Sequence, residues 1–364
     1  MGARIGRRAA VTAAMGLLAG CAALPGSQNT APQAWPSPTP RAPDADLLQR
    51  LATDLTAAVR DHDADRFVAL FAPQGRAAGS VIGRNALHLA AWQAEADADH
   101  LRVRTQAGAQ TGWGSATLAL AVDPEGRILW LGSRPGDHPV VWLDHLIDVS
   151  HDDPIWLIAA ASQASMAPVW LRTARDASER LTTLDWSVWR PPSEVAAPLT
   201  LELPADLVGF GEPIDVGAYV RLRGTDDEPR IVVSPADRPG LTQEERLHLL
   251  THEAVHALTR SPEWAAPGWA VEGLAEQVTE QLFPDLAAAH AALLPRASEG
   301  VGLPSDADLA AGGLPVYALA ARAIAGAQDR WGSAQVQRWL ADWQAPGRPS
   351  EAEFTDALRA ALPQ

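Results

Sequence analysis

Leu247 to Arg260 reads LHLLTHEAVHALTR, and within it His252-Glu253-Ala254-Val255-His256 sets two histidines four residues apart. Positions four apart on a helix lie about 40° apart around the axis, so both imidazoles point the same way and can grip one metal ion. Neutral imidazole nitrogens suit Zn²⁺. Glu253 is rotated off the ligand pair, where its carboxylate can take the proton of a water activated by the metal. Leu249, Leu250, Ala254 and Val255 give the segment apolar faces, as an inner helix requires.

A pair of histidines needs a third ligand. The metzincin pattern would place Gly at 259 and His at 262, but the chain has Thr259 and Pro262. Past the loop Ser261–Gly268 a second helix opens with WAVEGLAE, and its Glu272 stands 16 residues beyond His256. That spacing leaves room for one turn and a returning helix, which makes Glu272 the natural third ligand, with Glu263 as its rival. Glu276, one turn further, can orient a ligand histidine through its outer nitrogen. His248 shares the histidine face, but a catalytic zinc keeps one position open for water.

THEAVHALT (251–259) followed by PGWAVEGLAE (267–276) resembles the gluzincin, or peptidase MA-like, metallopeptidases. The resemblance covers roughly 154 to 345 and is specific only in 251 to 276. It implies zinc ligands at His252, His256 and Glu272, the general base at Glu253 and an orienting acid at Glu276. It also implies a small sheet stacked on the metal helix, then a helical lobe. Such proteins often carry a tyrosine on a later helix, which maps to Tyr317 as a donor to the developing oxyanion. Trp264, Trp269, Trp331, Trp339 and Trp343 read as core and wall rather than as a substrate subsite.

Upstream, Leu47, Leu48, Leu51, Leu55, Val59, Phe67 and Leu70 recur at helical spacing and predict a helix over 44–71. A short helix is expected at 86–96. Alternation at 101–105, 116–122 and 127–132 predicts strands, so this region is an α+β layer. Its element order resembles the nuclear transport factor-like cone fold, in which helices close over a curved sheet. His88 and His100 lie here with no matching ligand set. Strands are expected at 154–161, 199–203, 218–222 and 230–233, and a helix at 166–186.

The N-terminus reads as an address. Arg4, Arg7 and Arg8 precede the short apolar run 9–18, and Leu18-Ala19-Gly20-Cys21 resembles a bacterial lipobox. Cys21 would be the lipidated residue, and the Pro-rich stretch that follows a solvated tether. It is also the one cysteine in 364 residues, which excludes a disulfide framework and any Cys-based metal cluster. All 29 basic residues are Arg, so Schiff-base and P-loop chemistry, which need a Lys, are excluded. A net charge of −15 leaves no phosphate-neutralising face and argues against nucleic acid as a partner.

The expected organisation is a signal peptide (1–20), a tether (21–43), a smaller α+β cone-like domain (44–150) and a zincin-like peptidase domain (151–364). The expected function is a zinc metallopeptidase, lipid-anchored to the cell membrane and facing outward. Its peptide or protein substrate would lie along a sheet edge near Arg230–Ser234. Three alternatives stay open: a binding lipoprotein with an inert zincin-like domain, a structural zinc site, and zinc hydrolysis of a non-peptide amide.

Overall fold

The computed structural model describes residues 41–133, 140–186, 199–205, 218–221, 228–234, 240–297 and 300–363. The expected signal peptide, Cys21 and the tether up to residue 40 lie outside the described residues. Arg41, at the tether's end, forms an isolated antiparallel bridge to Val122. Among the described residues no helix is long and apolar enough to cross a membrane. The fold is mixed α+β, with two sheets and a helical lobe.

The helix expected over 44–71 is two helices, α1 (Ala45–Arg60) and α2 (Ala64–Ala69). The break is a capping event. Asp63 turns its carboxylate back to accept the Arg66 N–H, and His62 takes a left-handed backbone at φ 56°. After α3 (Arg76–His88) the chain enters β1 (Ala91–Asp97), where a helix was expected to run to 96. Ala-rich AWQAEAD favours helix locally, but Thr56 of α1 both donates to the Ala94 carbonyl and accepts its N–H. Pairing with β2 (His100–Gln106) then holds the segment extended, and tertiary pairing overrides propensity. With β3 (Gly114–Val122) and β4 (Ile128–Ser133) these strands form a four-stranded antiparallel meander, close to the predicted 101–105, 116–122 and 127–132.

A short helix, α4 (Val141–Asp144), leads into the second sheet: β5 (Ile147–Asp152), β6 (Ile155–Ala160), β7 (Leu199–Leu203), β8 (Ala218–Arg221) and β9 (Arg230–Val233). The expected domain boundary at 150/151 falls inside β5. The strand order is β5-β6-β7-β9-β8, with β6, β7 and β9 parallel and the two outer strands antiparallel. The sheet edge expected at Arg230–Ser234 is therefore internal. β9 is bonded on both sides, and among the described residues the edge beside it is β8.

Both faces of this sheet are covered, because side chains alternate along each strand and each row meets a different layer. Leu157, Ala159, Leu201, Ile231 and Val233 pack under α5 (Ala167–Leu181) and α6 (Gln243–Thr259). Ile158, Ala160 and Val232 face the other way and join the core of residues 48–147, with Phe67, Trp92 and Trp142. A polar seam runs through that contact. Glu202, fully buried on β7, receives the guanidinium groups of Arg221 and Arg230. Arg230 also donates to the Thr105 carbonyl and hydroxyl, each at 3.0 Å. Gly114 makes room for it, since a Cβ there would stand 2.4 Å from the guanidinium.

The C-terminal lobe contains α7 (Gly268–Leu282), α8 (Pro284–Ala291), α9 (Asp306–Ala311), α10 (Leu314–Trp331), α11 (Ser333–Ala341) and α12 (Glu351–Ala361). Its centre is aromatic. Phe354 contacts Trp269, Trp331 and Trp343, with ring centroids 5.3–5.7 Å apart, and Trp331 meets Trp339 edge-on. Trp269, Trp339 and Trp343 are buried in this core, and Trp264 and Trp331 pack against it half-buried.

The seam carries a pH dependence. Burial pushes the Glu228 carboxyl up to about 7, against the opposing pull of Arg230, the Thr200 hydroxyl and the Gly112 N–H. A group whose folded pKa is raised stabilises the fold below its unfolded value near 4.5, and that contribution is lost as pH rises through about 7. The unfolding free energy of wild type relative to Glu228→Gln should therefore fall by roughly 2–3 kcal/mol between pH 4.5 and 8. Denaturant titrations at several pH values check this, and a pH-independent difference refutes it.

Candidate metal centre

Helix α6 starts on a reciprocal cap: Thr242 accepts the Glu245 N–H while the Glu245 carboxylate accepts the Thr242 N–H. Nearly every residue from Leu247 to Thr259 is buried, including His252, Glu253 and His256. The helix ends on Arg260 in a left-handed conformation at φ 54°, and the Arg260 guanidinium closes a two-pronged pair with Glu263 at 2.8 and 2.9 Å. That reversal feeds a short turn and then α7, whose buried face carries Glu272 and Glu276.

Three ligand atoms converge. His252 Nε2 and His256 Nε2 lie 3.1 Å apart, and Glu272 Oε2 lies 3.2 and 3.4 Å from them. The edges of a tetrahedron of N and O ligands around an ion at about 2.05 Å are ~3.3 Å long. The observed triangle has that size. These buried side chains could hold a metal ion.

The outer nitrogens explain why the inner ones face inward. His252 Nδ1 is 2.8 Å from Glu276 Oε2, and His256 Nδ1 is 2.7 Å from Ser261 Oγ. With each Nδ1–H donated outward, each Nε2 presents a bare lone pair to the centre. Two lone pairs and a carboxylate oxygen at this spacing repel one another unless a cation, or a proton, lies between them. Burial is the largest influence on His252 and would lower its pKa, yet the Glu272 and Glu276 carboxylates together hold it well above the ordinary imidazole value. Burial likewise pushes Glu272 up, but His256 and His252 outweigh it and hold the carboxyl down at about 2. Glu276 is also held below the usual carboxylate range: burial opposes this, and His252 and His290 prevail.

The sequence-predicted residues sort clearly. His252, His256 and Glu272 form the group, and Glu276 backs it. Glu253 is fully buried on the same helix, one residue and so about 100° around from His252. Tyr317 of α10 is fully buried with its ring centroid 6.2 Å from that of His252. The rival ligand Glu263 is excluded, because its carboxylate is turned to Arg260. His248 is not part of the group. Its ring packs edge-on against Phe283, with centroids 4.3 Å apart. Ser261 and His290 escape a sequence reading, since neither shares a helix face with the ligands; only the loop conformations bring them in.

Helix α7 is held close to α10 by Gly273, where a Cβ would meet the Ala320 carbonyl oxygen at 2.5 Å. No protein-family model matches the chain, and no curated protein does.

Two outcomes follow from this geometry. Ser261→Ala should weaken metal binding ~10–100-fold by freeing the His256 ring, read by competition with a chromophoric chelator. Gly273→Ala should destabilise the fold by about 1–3 kcal/mol, read by denaturant unfolding, because the obstructing atom is backbone and cannot swing aside.

Proposed function

We propose that the chain is a zinc-dependent metallopeptidase of the gluzincin type. The observation that carries the reading is the tetrahedral spacing of His252, His256 and Glu272, with Glu253 on the same buried helix. In this reading the second sheet, α6 and the helical lobe make a zincin-like domain, and the N-terminal layer is a cone-like module fused to its sheet. Zn²⁺ held by the three ligands would supply Lewis acidity and make a water acidic near neutral pH. Glu253 would serve as the general base toward the attacking water and would return the proton to the leaving amine. Tyr317 would offer its O–H as a hydrogen-bond donor to the carbonyl oxygen as negative charge develops on it. The substrate is a peptide or protein strand, and β8 is the sheet edge on which it would add, since α6 packs against that strand.

The proposal includes an address. Cys21 would be acylated after removal of 1–20, leaving the body on a Pro-rich tether at the outer side of the cell membrane. Cleavage there removes Arg4, Arg7 and Arg8 and takes the net charge from −15 to −18. The lipid, rather than charge attraction, would then hold the protein at an anionic surface.

A second reading is an inert zinc-holding domain in a binding lipoprotein. It draws on the burial of His252, Glu253, His256, Glu272 and Tyr317, each no more than 2% exposed. One experiment separates the two. Purified wild-type protein should carry one zinc per chain and cleave members of a peptide library. Glu253→Gln should keep the zinc and lose at least ~100-fold in kcat/KM. Zinc without cleavage supports the inert reading, and absence of zinc removes both.

A further inference from the structure

Behind the ligand group lies a second layer that the proposed chemistry does not use. Glu276 gives one oxygen, Oε2, to His252. Its other oxygen, Oε1, is buried without a hydrogen-bond partner. His290 of α8 stands beside that oxygen, with its Nδ1 3.5 Å away. His290 is 1% exposed, and the same Nδ1 lies 2.7 Å from Glu280 Oε1. Its Nε2 is buried without a partner. One ring edge of His290 thus faces two carboxylates a single turn apart on α7.

This arrangement answers an electrostatic problem. Glu272 and Glu276 flank His252 at 3.2 and 2.8 Å, so two buried carboxylates share one ring. While His252 is neutral and turned to a metal, it gives Glu276 a hydrogen bond but no charge. A buried carboxylate oxygen without a hydrogen-bond partner is held in place best by a polar N–H edge fixed beside it, and Glu280 fixes the His290 edge at that position.

We propose that His290 is a positioning residue of the metal site: its Nδ1–H, held by Glu280 and facing Glu276 Oε1, keeps Glu276 aligned on His252. The chain of orientation runs Glu280–His290–Glu276–His252, and it reaches the metal only through the last member. The inference rests on the metal-holding reading of His252, His256 and Glu272.

The test uses the full chain and two substitutions. Asn keeps an N–H donor near the Nδ1 position, whereas Leu keeps the volume and removes the donor. His290→Leu should weaken zinc binding ~10–100-fold in chelator competition, and His290→Asn should stay within a few-fold of wild type. The Co²⁺-loaded protein should show a changed visible spectrum in the Leu variant only. In metal-free protein, the downfield proton resonance of His252 Nδ1–H should shift or broaden in the Leu variant and persist in the Asn variant. Equal zinc affinity in all three proteins overturns the proposal. Equal loss in both variants also overturns it, because packing alone would then account for His290. If wild type binds no zinc, the metal reading fails, and the proton resonance still decides the positioning role on its own.

Discussion

A histidine can ligate a metal through one nitrogen only if something else fixes the proton on the other, and in a dry interior that something must itself be paid for by further partners. His252 and His256 meet this requirement in different ways, one against the Glu276 carboxylate and one against the Ser261 hydroxyl. Much of the local structure serves those two bonds. The left-handed Arg260 and its pairing with Glu263 bring Ser261 beneath His256. Gly273 lets α7 sit close against α10 while presenting Glu272 and Glu276 to α6. Charged groups so deep cost several kcal/mol each unless mutually compensated, so the cluster is stable only as a set.

The platform under the site has two covered faces. Alternation along β6, β7 and β9 sends one row of side chains under α5 and α6, while the opposite row packs into the N-terminal layer. The N-terminal region is therefore the back wall of the sheet that supports α6. The Glu202–Arg221–Arg230 cluster and its bonds to Thr105 set the register of that contact, since buried guanidinium groups accept few geometries. No cysteine follows residue 21, so no disulfide assists, and the body is held by packing and by these polar seams.

Some of this was legible in the residues alone. Histidines four apart on an amphipathic helix share a face by helix geometry, and that needs no knowledge of the rest of the chain. The same holds for Glu272 and Glu276 as a pair, and for strands such as Leu199–Leu203 and Arg230–Val233. Other features misled. Ala91–Asp97 has a helical composition and becomes a strand, because Thr56 and β2 claim its backbone. Arg230–Ser234 suggested an edge strand and lies inside the sheet, because strand order is set by crossovers that local patterning does not encode.

What the sequence by itself determined is therefore local: two histidines on one helix face with Glu253 between them, a following pair of acids one turn apart, an acidic body without lysine, and a single cysteine at position 21. Only the tertiary structure placed Glu272 against the histidines and Glu263 against Arg260, set Ser261 beneath His256 and His290 beside Glu276, and joined the N-terminal layer to the sheet. The physical reason is range. Helical periodicity is a property of neighbouring residues, whereas ligand choice and proton placement depend on where loops turn and on which charges end up buried together.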